Sequence, residues 1–194
     1  MRAAEITRAT GETSIALKLK IDGNDDRNID TGLGIFDHML DLFAKQGKFD
    51  LSLKVNGDLN VDEHHTIEDV GIALGDAFTK AVGDKKGIYR YATQFVPMDE
   101  TLAMVSLDFS GRAYLQYGVD FFDPSVGGIN AQIFEEFFRA FATSAKLTLH
   151  ISVLYGTNTH HMIEAVFKAV GRAVRFALQI DPRESGIPST KGVL

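Results

Sequence analysis

The chain contains two copies of one sequence pattern, and this duplication limits its folds more than any single motif. Three blocks recur in the same order, namely residues 12–23 and 100–111, residues 35–44 and 133–142, and residues 64–68 and 160–164. The offsets are 88, 98 and 96 positions, and such small differences arise when loops gain or lose a few residues. A fold of two similar halves is therefore predicted.

Each half has the periodicity of a ββαβα unit. Alternating apolar and polar residues predict a strand over residues 14–21, with a short extended segment over 27–31 paired beside it. A helix over 36–45, a strand over 49–55 and a long helix over 65–82 follow. The second half repeats the pattern, with strands near 101–109, 113–119 and 147–154 and helices near 131–144 and 161–179.

These elements predict an α+β fold of internally duplicated ββαβα halves, with sheets packed against helices. The first half is assigned to residues 1–92 and the second to residues 93–194, with a short linker near 92–97. Because 194 residues suit one large domain, the two halves are expected to form one compact domain together.

Composition excludes several classes of protein. The net charge of −6 argues against nucleic acid and anionic membranes as partners. The absence of Cys from the sequence excludes a disulfide scaffold, a thiolate metal site and a cysteine nucleophile. Residues 1–13 have no apolar segment like that of a signal peptide, and no apolar run approaches the roughly 18 residues of a membrane span. A cytoplasmic protein is expected.

A His-His-x-x-Glu motif occurs once in each half and predicts metal sites. The repeat also aligns His38 with Glu136, each on the first helix of its half. Imidazole and carboxylate ligands without thiolate suit divalent Mn, Fe, Co or Zn. The candidate ligands are His38, His64, His65, Glu68, Glu136, His160, His161 and Glu164.

Helix geometry divides these ligands between two ions. Residues four apart share a helix face, so each motif can hold one ion with its first His and its Glu. The second His of each motif points about 100° away and is expected to cross to the other half's site. The resulting hypothesis is one site of His38, His64, Glu68 and His161 and another of Glu136, His160, Glu164 and His65. Exchange of the second-helix histidines between the two sites remains open.

Basic residues near the ends of elements predict a phosphate pocket. Arg90 follows the first long helix, Arg112 follows a strand turn, and Lys168 lies one helical turn after Glu164. The tail Ser189-Thr190-Lys191-Gly192 offers hydroxyls, backbone N–H groups and an ammonium, which together suit phosphate. The apolar Val193-Leu194 that follows predicts a docked tail.

Four motifs together resemble the imidazoleglycerol-phosphate dehydratase family. They are Asp37-His38-Met39-Leu40, Asp62-Glu63-His64-His65-Thr66-Ile67-Glu68-Asp69, Asn158-Thr159-His160-His161-Met162-Ile163-Glu164-Ala165 with Phe167-Lys168-Ala169, and Ser189-Thr190-Lys191-Gly192-Val193-Leu194. The similarity runs from Arg8 to the C-terminus. Enzymes of this family remove water from imidazole glycerol phosphate to give imidazole acetol phosphate in histidine biosynthesis.

The resemblance implies a catalytic domain of paired ββαβα halves with the ribosomal protein S5 domain 2-like fold. It implies two Mn²⁺ per subunit, or other divalent metals in their place, and a homo-oligomer of 24 subunits built from trimers with sites at subunit interfaces. Many family members have His at the position of Glu136. The implied substrate contacts are Glu12, His38, Arg90, Arg112, Lys168, Ser189, Thr190 and Lys191.

The implied chemistry is loss of water beside an imidazole ring. The ring, bound to metal as imidazolate, would expel hydroxide, and a carboxylate would move the proton of the next carbon. Glu12 is the first candidate for this acid–base role and its repeat partner Glu100 the second. Glu68 and Glu164 can serve as both ligand and base.

Two other classes of protein remain as alternatives. A dinuclear metal hydrolase shares His and carboxylate ligands, although such sites usually use Asp-rich bridging ligands. A non-catalytic assembly protein, in which metal joins subunits, would bind metal without needing Glu12, Arg112 and the Ser189–Gly192 tail.

Overall fold

The computed structural model describes residues 2–194, in which two halves repeat one order of elements. The first half contains β1 (Ala3–Ala9), β2 (Thr13–Lys20), β3 (Arg27–Asp30), α1 (Gly34–Gly47), β4 (Asp50–Gly57) and α2 (His64–Val82). The second contains β5 (Tyr91–Met98), β6 (Thr101–Asp108), β7 (Tyr114–Gly118), β8 (Ser125–Val126), β9 (Ile129–Asn130), α3 (Ile133–Ser144), β10 (Thr148–Tyr155) and α4 (Thr159–Ala177). The predicted α+β fold of duplicated halves is confirmed, and each ββαβα unit is preceded by one further strand.

The two four-stranded sheets share one strand order, β1-β2-β4-β3 in the first half and β5-β6-β10-β7 in the second. β3 lies parallel to β4, with Arg27 opposite Leu51. The predicted pairing of segment 27–31 with the strand over 14–21 was therefore wrong. The reason is that β4 pairs antiparallel with β2, while the helical crossover through α1 leaves β3 at the outer edge of the sheet.

The segment expected to be a linker, residues 92–97, is instead part of strand β5. β5 pairs antiparallel with β6 across the turn at Asp99-Glu100. It lies at the edge of its sheet with many side chains exposed, so its sequence lacks the apolar alternation of an inner strand. Pro97 suits this edge position because proline has no N–H to offer a second neighbouring strand.

A short hairpin explains why the offset between the repeats changes. β8 and β9 pair antiparallel and lie between β7 and α3 in the chain. Within residues 2–194, the first half has no named strand at the corresponding place between β3 and α1. The insertion accounts for the rise of the offset from 88 to 98 positions before the first helix of each half.

The four helices form two layers that meet across the halves. α2 packs on β1 and β2, and α4 packs on β5 and β6. Between the layers, α1 packs against α4 and α2 against α3. Phe43 of α1, Phe78 of α2 and Phe141 of α3 meet edge to face, with ring centroids 5.7–6.2 Å apart. The first helix of each half therefore contacts the second helix of the other half.

Glycines allow these helix pairs to approach closely. A Cβ on Gly171 of α4 would lie 2.3 Å from the carbonyl oxygen of Phe43 in α1. At the repeat-related Gly75 of α2, a Cβ would lie 2.7 Å from the carbonyl oxygen of Phe141 in α3. The two glycines therefore mark equivalent helix crossings at which a side chain would not fit.

None of the helices in residues 2–194 has the combined length and apolarity that a membrane crossing would require.

Candidate active site

The packing of α1 on α4 brings His38, His160 and Glu164 together. One ligand atom from each residue lies within 4.8 Å of the other two. His38 Nε2 lies 2.8 Å from Glu164 Oε1, and His160 Nε2 lies 3.1 Å from the same oxygen. Two imidazoles and one carboxylate form a donor set suited to Mn²⁺ and similar divalent cations. The residues therefore fit the predicted metal.

This cluster corrects the predicted grouping of His38. The sequence hypothesis placed His38 with His64 and Glu68, the motif residues of its own half. The structure places it with His160 and Glu164 because α1 packs on the second helix of the other half. The pairing of His160 with Glu164, four residues apart on one helix, agrees with the prediction.

The repeat-related set lies where α3 packs on α2. His64 Nε2 is 3.5 Å from Glu68 Oε2, and His64 and Glu136 line one pocket. Glu136, which was predicted to share a site with His160, thus lines a pocket with His64 instead, because α3 packs on α2. Its carboxylate contacts Arg139 Nε at 3.5 Å. Within residues 2–194, only the His38–His160–Glu164 set has all its ligand atoms within 4.8 Å.

Glu164 is the buried carboxylate of the cluster, with 7% of its surface exposed. Burial alone would raise the pKa of this carboxyl, but hydrogen bonds from Lys168, His38 and His160 outweigh that effect and lower the pKa to about 2. The ammonium of Lys168 lies 2.5 Å from Glu164 Oε2, which places Lys168 at the cluster, one helical turn from Glu164. Glu164 is therefore ionised at neutral pH, as a metal ligand must be.

The second histidine of each motif points away from the candidate ligands on its own helix. His65 Nδ1 lies 3.0 Å from Asp58 Oδ2, and His161 Nδ1 lies 2.7 Å from Glu100 Oε2. These hydrogen bonds are the main cause of the raised pKa of each imidazole. The structure agrees with the expected separation of His65 and His161 from their neighbours. Their crossing to another metal site stays a prediction.

A pocket at the C-terminal tail gathers most of the residues predicted to bind phosphate. Its lining includes Arg90, Arg112, Ser189, Thr190 and Lys191. The tail forms a turn in which the Lys191 N–H donates to Ser189 Oγ at 3.2 Å. The other predicted contacts lie elsewhere in the chain. His38 and Lys168 each contact Glu164, and Glu12 lies beside His65.

The end of the tail packs against Gly111. A Cβ on Gly111 would lie 2.8 Å from the carbonyl carbon of Leu194, which agrees with the predicted docking of the tail. Lys85, which the sequence analysis did not single out, approaches the same glycine, and burial lowers the pKa of its ammonium. It lies in the turn after α2, where no periodic pattern could have identified it.

The two arginines of the pocket have different roles. Arg90 is 9% exposed, and its Nε donates to Asp108 at 2.7 Å while its Nη1 donates to the Pro188 carbonyl oxygen at 2.8 Å. Arg112 is exposed, and its guanidinium makes a 3.3 Å hydrogen bond to the carbonyl oxygen of Ser110. Arg90 therefore anchors the tail, whereas Arg112 has more donors available for an anion.

The chain is similar over nearly its whole length to proteins of one family. The family model described as imidazoleglycerol-phosphate dehydratase matches residues 31–174. A protein of that name from Caldanaerobacter subterraneus subsp. tengcongensis is 57% identical over 194 residues, which are 100% of both chains. Another, from Acetivibrio thermocellus, is 54% identical over 193 residues, covering 100% of this chain and 99% of that protein.

Solved structures give the same result. The crystal structure of imidazoleglycerol-phosphate dehydratase from Staphylococcus aureus subsp. aureus N315 has a TM-score of 0.84 at 38% identity, covering 92% of this chain and 99% of that one. The enzyme from Pyrococcus furiosus, in complex with (S)-C348, has a TM-score of 0.86 at 35% identity, covering 97% of this chain and 100% of that one.

Proposed function

Because this chain belongs to the imidazoleglycerol-phosphate dehydratase family, whose members are hydro-lyases of histidine biosynthesis, we propose that it converts imidazole glycerol phosphate to imidazole acetol phosphate and water with the help of a divalent metal. The observation that supports metal dependence is the convergence of His38, His160 and Glu164 within 4.8 Å. A hydrolase is disfavoured because the cluster contains one carboxylate and no Asp-rich bridge.

Two Mn²⁺ ions per subunit are proposed. His38, His160 and Glu164 would hold one, and the repeat-related His64, Glu68 and Glu136 would hold the other. His65 and His161 would be supplied to these sites by neighbouring subunits. When bound, such a cation supplies Lewis-acid chemistry, which favours the deprotonated, electron-rich form of the substrate's imidazole ring.

The tail pocket is proposed to bind the substrate's phosphate. Arg112 and Lys191 would contribute positive charge, and Ser189 and Thr190 would contribute hydroxyls. Arg90 would act mainly by holding Pro188 in place. A phosphate fixed at this end orients the reacting carbons, which lowers the entropic part of the barrier.

Glu12 is proposed to remove the proton from the carbon adjacent to the one that bears the leaving hydroxyl. Its side chain is 54% exposed and lies 3.6 Å from His65 Nε2, so its carboxylate is available to a substrate. The lowered pKa of Glu164 makes that residue a weak base. A ligand role therefore suits Glu164 better than the acid–base role, and we propose the same for Glu68.

A homo-oligomer of 24 subunits built from trimers is proposed, acting in the cytoplasm with neither nucleic acid nor membrane as partner. In one chain, the His64–Glu68–Glu136 set is less closely assembled than its counterpart. Among residues 2–194, the lining of the tail pocket includes none of the proposed metal ligands. Both observations favour completion of the site by a neighbouring subunit. Residues 1–92 and 93–194 would form one catalytic domain within each subunit.

Removal of metal tests the proposed function directly. Protein stripped with EDTA should not turn over imidazole glycerol phosphate, and addition of Mn²⁺ should restore formation of imidazole acetol phosphate. Mg²⁺ serves as a control, because imidazole ligands hold this hard cation poorly and it should restore much less activity. Full turnover by protein shown by mass spectrometry to be metal-free would contradict metal dependence, and release of inorganic phosphate would indicate a hydrolase.

Replacement of Arg112 tests the phosphate pocket. Arg112→Ala should raise KM by about 10- to 100-fold, because a hydrogen bond to a charged group contributes about 1.5–3 kcal/mol, and kcat should change little. Steady-state kinetics would measure both constants. Arg183→Ala is the matched control, since this arginine is 82% exposed and lies outside the pocket lining. An unchanged KM with a lowered kcat in Arg112→Ala would rule out the phosphate role.

A further inference from the structure

The two halves hold their repeat-related glutamates in different ways. Glu100 follows β5 and has its carboxylate fixed by donors of its own half. Both carboxylate oxygens are engaged. The donors to Oε1 are the N–H of Thr157 at 3.2 Å, the N–H of Asn158 at 2.9 Å and the hydroxyl of Thr101 at 3.0 Å, and Oε2 lies 2.7 Å from His161 Nδ1.

Glu12 occupies the equivalent position after β1, but its carboxylate is nearly free. Among residues 2–194, its side chain has one ionic contact, to His65 Nε2 at 3.6 Å. The side chain is 54% exposed, against 35% for Glu100. Its backbone is nevertheless fixed, because its N–H donates to Thr10 Oγ1 at 3.1 Å and its carbonyl oxygen accepts from Asp58 N–H at 3.1 Å.

Two aspartates bond to the first-half side chains whose second-half counterparts bond to Glu100. The hydroxyl of Thr13, the counterpart of Thr101, donates to Asp69 Oδ2. The Nδ1 of His65, the counterpart of His161, is bonded to Asp58 Oδ2 at 3.0 Å. In the second half, Ala165 stands at the position of Asp69 and has no side chain that can accept a hydrogen bond. The strand register places Thr157 at the position of Asp58, and the N–H of Thr157 donates to Glu100 Oε1.

Asp69 is held as a rigid acceptor. It is 8% exposed, and its Oδ1 accepts from Arg8 Nη2 at 2.8 Å. Thr13 is 3% exposed. Because both partners are buried and bonded, the Thr13 hydroxyl is held away from Glu12.

We propose that Asp69 and Asp58 are positioning residues that keep the Glu12 carboxylate free of the chain's own donors, so that it can meet the substrate. The inference rests on the proposed acid–base role of Glu12. The two repeat-related glutamates then have different roles. Glu12 is free for proton transfer, and Glu100 is held by hydrogen bonds within its own half.

The variant Asp69→Ala places in the first half the residue type found at the equivalent position of the second half, Ala165. The Thr13 hydroxyl should then bond to Glu12, and kcat should fall by about tenfold or more, a part of the 10²- to 10⁴-fold that acid–base catalysis contributes. KM and Mn²⁺ content should not change. Asp69→Asn keeps one acceptor oxygen, which can serve Thr13 or Arg8 but not both, and should give a kcat between those of the wild type and Asp69→Ala. Asp76→Ala, at an exposed position of the same helix, is the matched control.

A second change distinguishes positioning from simple structural support. In Asp69→Ala combined with Thr13→Val, no hydroxyl remains to engage Glu12, so kcat should recover toward the wild-type value. A double variant no more active than Asp69→Ala would overturn the proposal, as would wild-type kcat in Asp69→Ala. A structural defect alone would make the double variant worse.

A crystal structure separates this inference from the proposed function. In Asp69→Ala, Thr13 Oγ1 should lie about 3 Å from the Glu12 carboxylate, and a Thr13 hydroxyl still turned away would overturn the inference whatever the activity. A wild-type protein without turnover would refute only the proposed function. If Asp69→Ala does not fold, Asp58→Ala gives the same test. The Glu12 carboxylate should then form a hydrogen bond with His65. A Glu12–His65 distance unchanged from 3.6 Å would overturn the inference.

Discussion

Glu164→Ala is expected to abolish turnover and to weaken Mn²⁺ binding by more than about 100-fold. Glu164 Oε1 is the oxygen on which His38 and His160 converge, so its loss would remove one proposed ligand and leave the other two without their common partner. Even an outer partner of a metal ligand contributes 10- to 100-fold in affinity. The variant also leaves the Lys168 ammonium beside the site with no carboxylate to balance its charge.

Metal content by mass spectrometry, together with turnover, would measure this effect. Glu164→Gln should give an intermediate loss, because it keeps the shape and one acceptor oxygen but not the charge. Glu5→Ala is the matched control, since that glutamate lies on β1 with its side chain 72% exposed. Full metal content in Glu164→Ala would show that this residue is not a ligand.

Gly171→Ala is expected to destabilise the fold by about 1–3 kcal/mol, the usual effect of overpacking, and to weaken metal binding with it. The added Cβ would lie 2.3 Å from the Phe43 carbonyl oxygen. A backbone atom cannot rotate away as a side chain can, so α1 must move relative to α4. Since α1 carries His38 and α4 carries His160 and Glu164, the shift would separate the ligands.

The free energy of unfolding in urea and the Mn²⁺ affinity would measure the two effects. Gly34→Ala is the matched control, because nothing lies within 4 Å of its Cβ position at the start of α1. That variant should keep its metal and stay within about 0.5 kcal/mol of the wild-type stability, because the position is exposed. Wild-type stability and metal content in Gly171→Ala would contradict close packing at this crossing.

The sequence predicted those strands and helices whose apolar pattern lies within one segment of the chain. Inner strand β2 was predicted from the alternation of Ile15, Leu17 and Leu19 with less apolar residues, and the structure buries these three side chains and not those between them. The edge strands β1 and β5 were missed because edge strands with exposed side chains need little apolar alternation. The pairing of β3 was wrong because local pattern does not determine which strand occupies the inner position of a sheet.

The candidate site shows the same limit. Spacing four residues apart correctly paired His160 with Glu164, because both lie on one helix. It could not show that His38 joins them, because that depends on which helices pack together, a property of the whole core. Asp58 and Asp69 escaped notice for a different reason. A duplication draws attention to residues that the two copies share, and these two positions differ between the copies.

The cross-half pairing of helices has an evolutionary consequence. The His38–His160–Glu164 cluster takes one ligand from the first half and two from the second, so neither half alone contains it. An ancestor made of a single half would have needed a symmetric dimer to assemble such a cluster, and both of its sites would have been identical. Fusion of the two copies in one chain removed that constraint, because a substitution could then change one site and leave the other as it was.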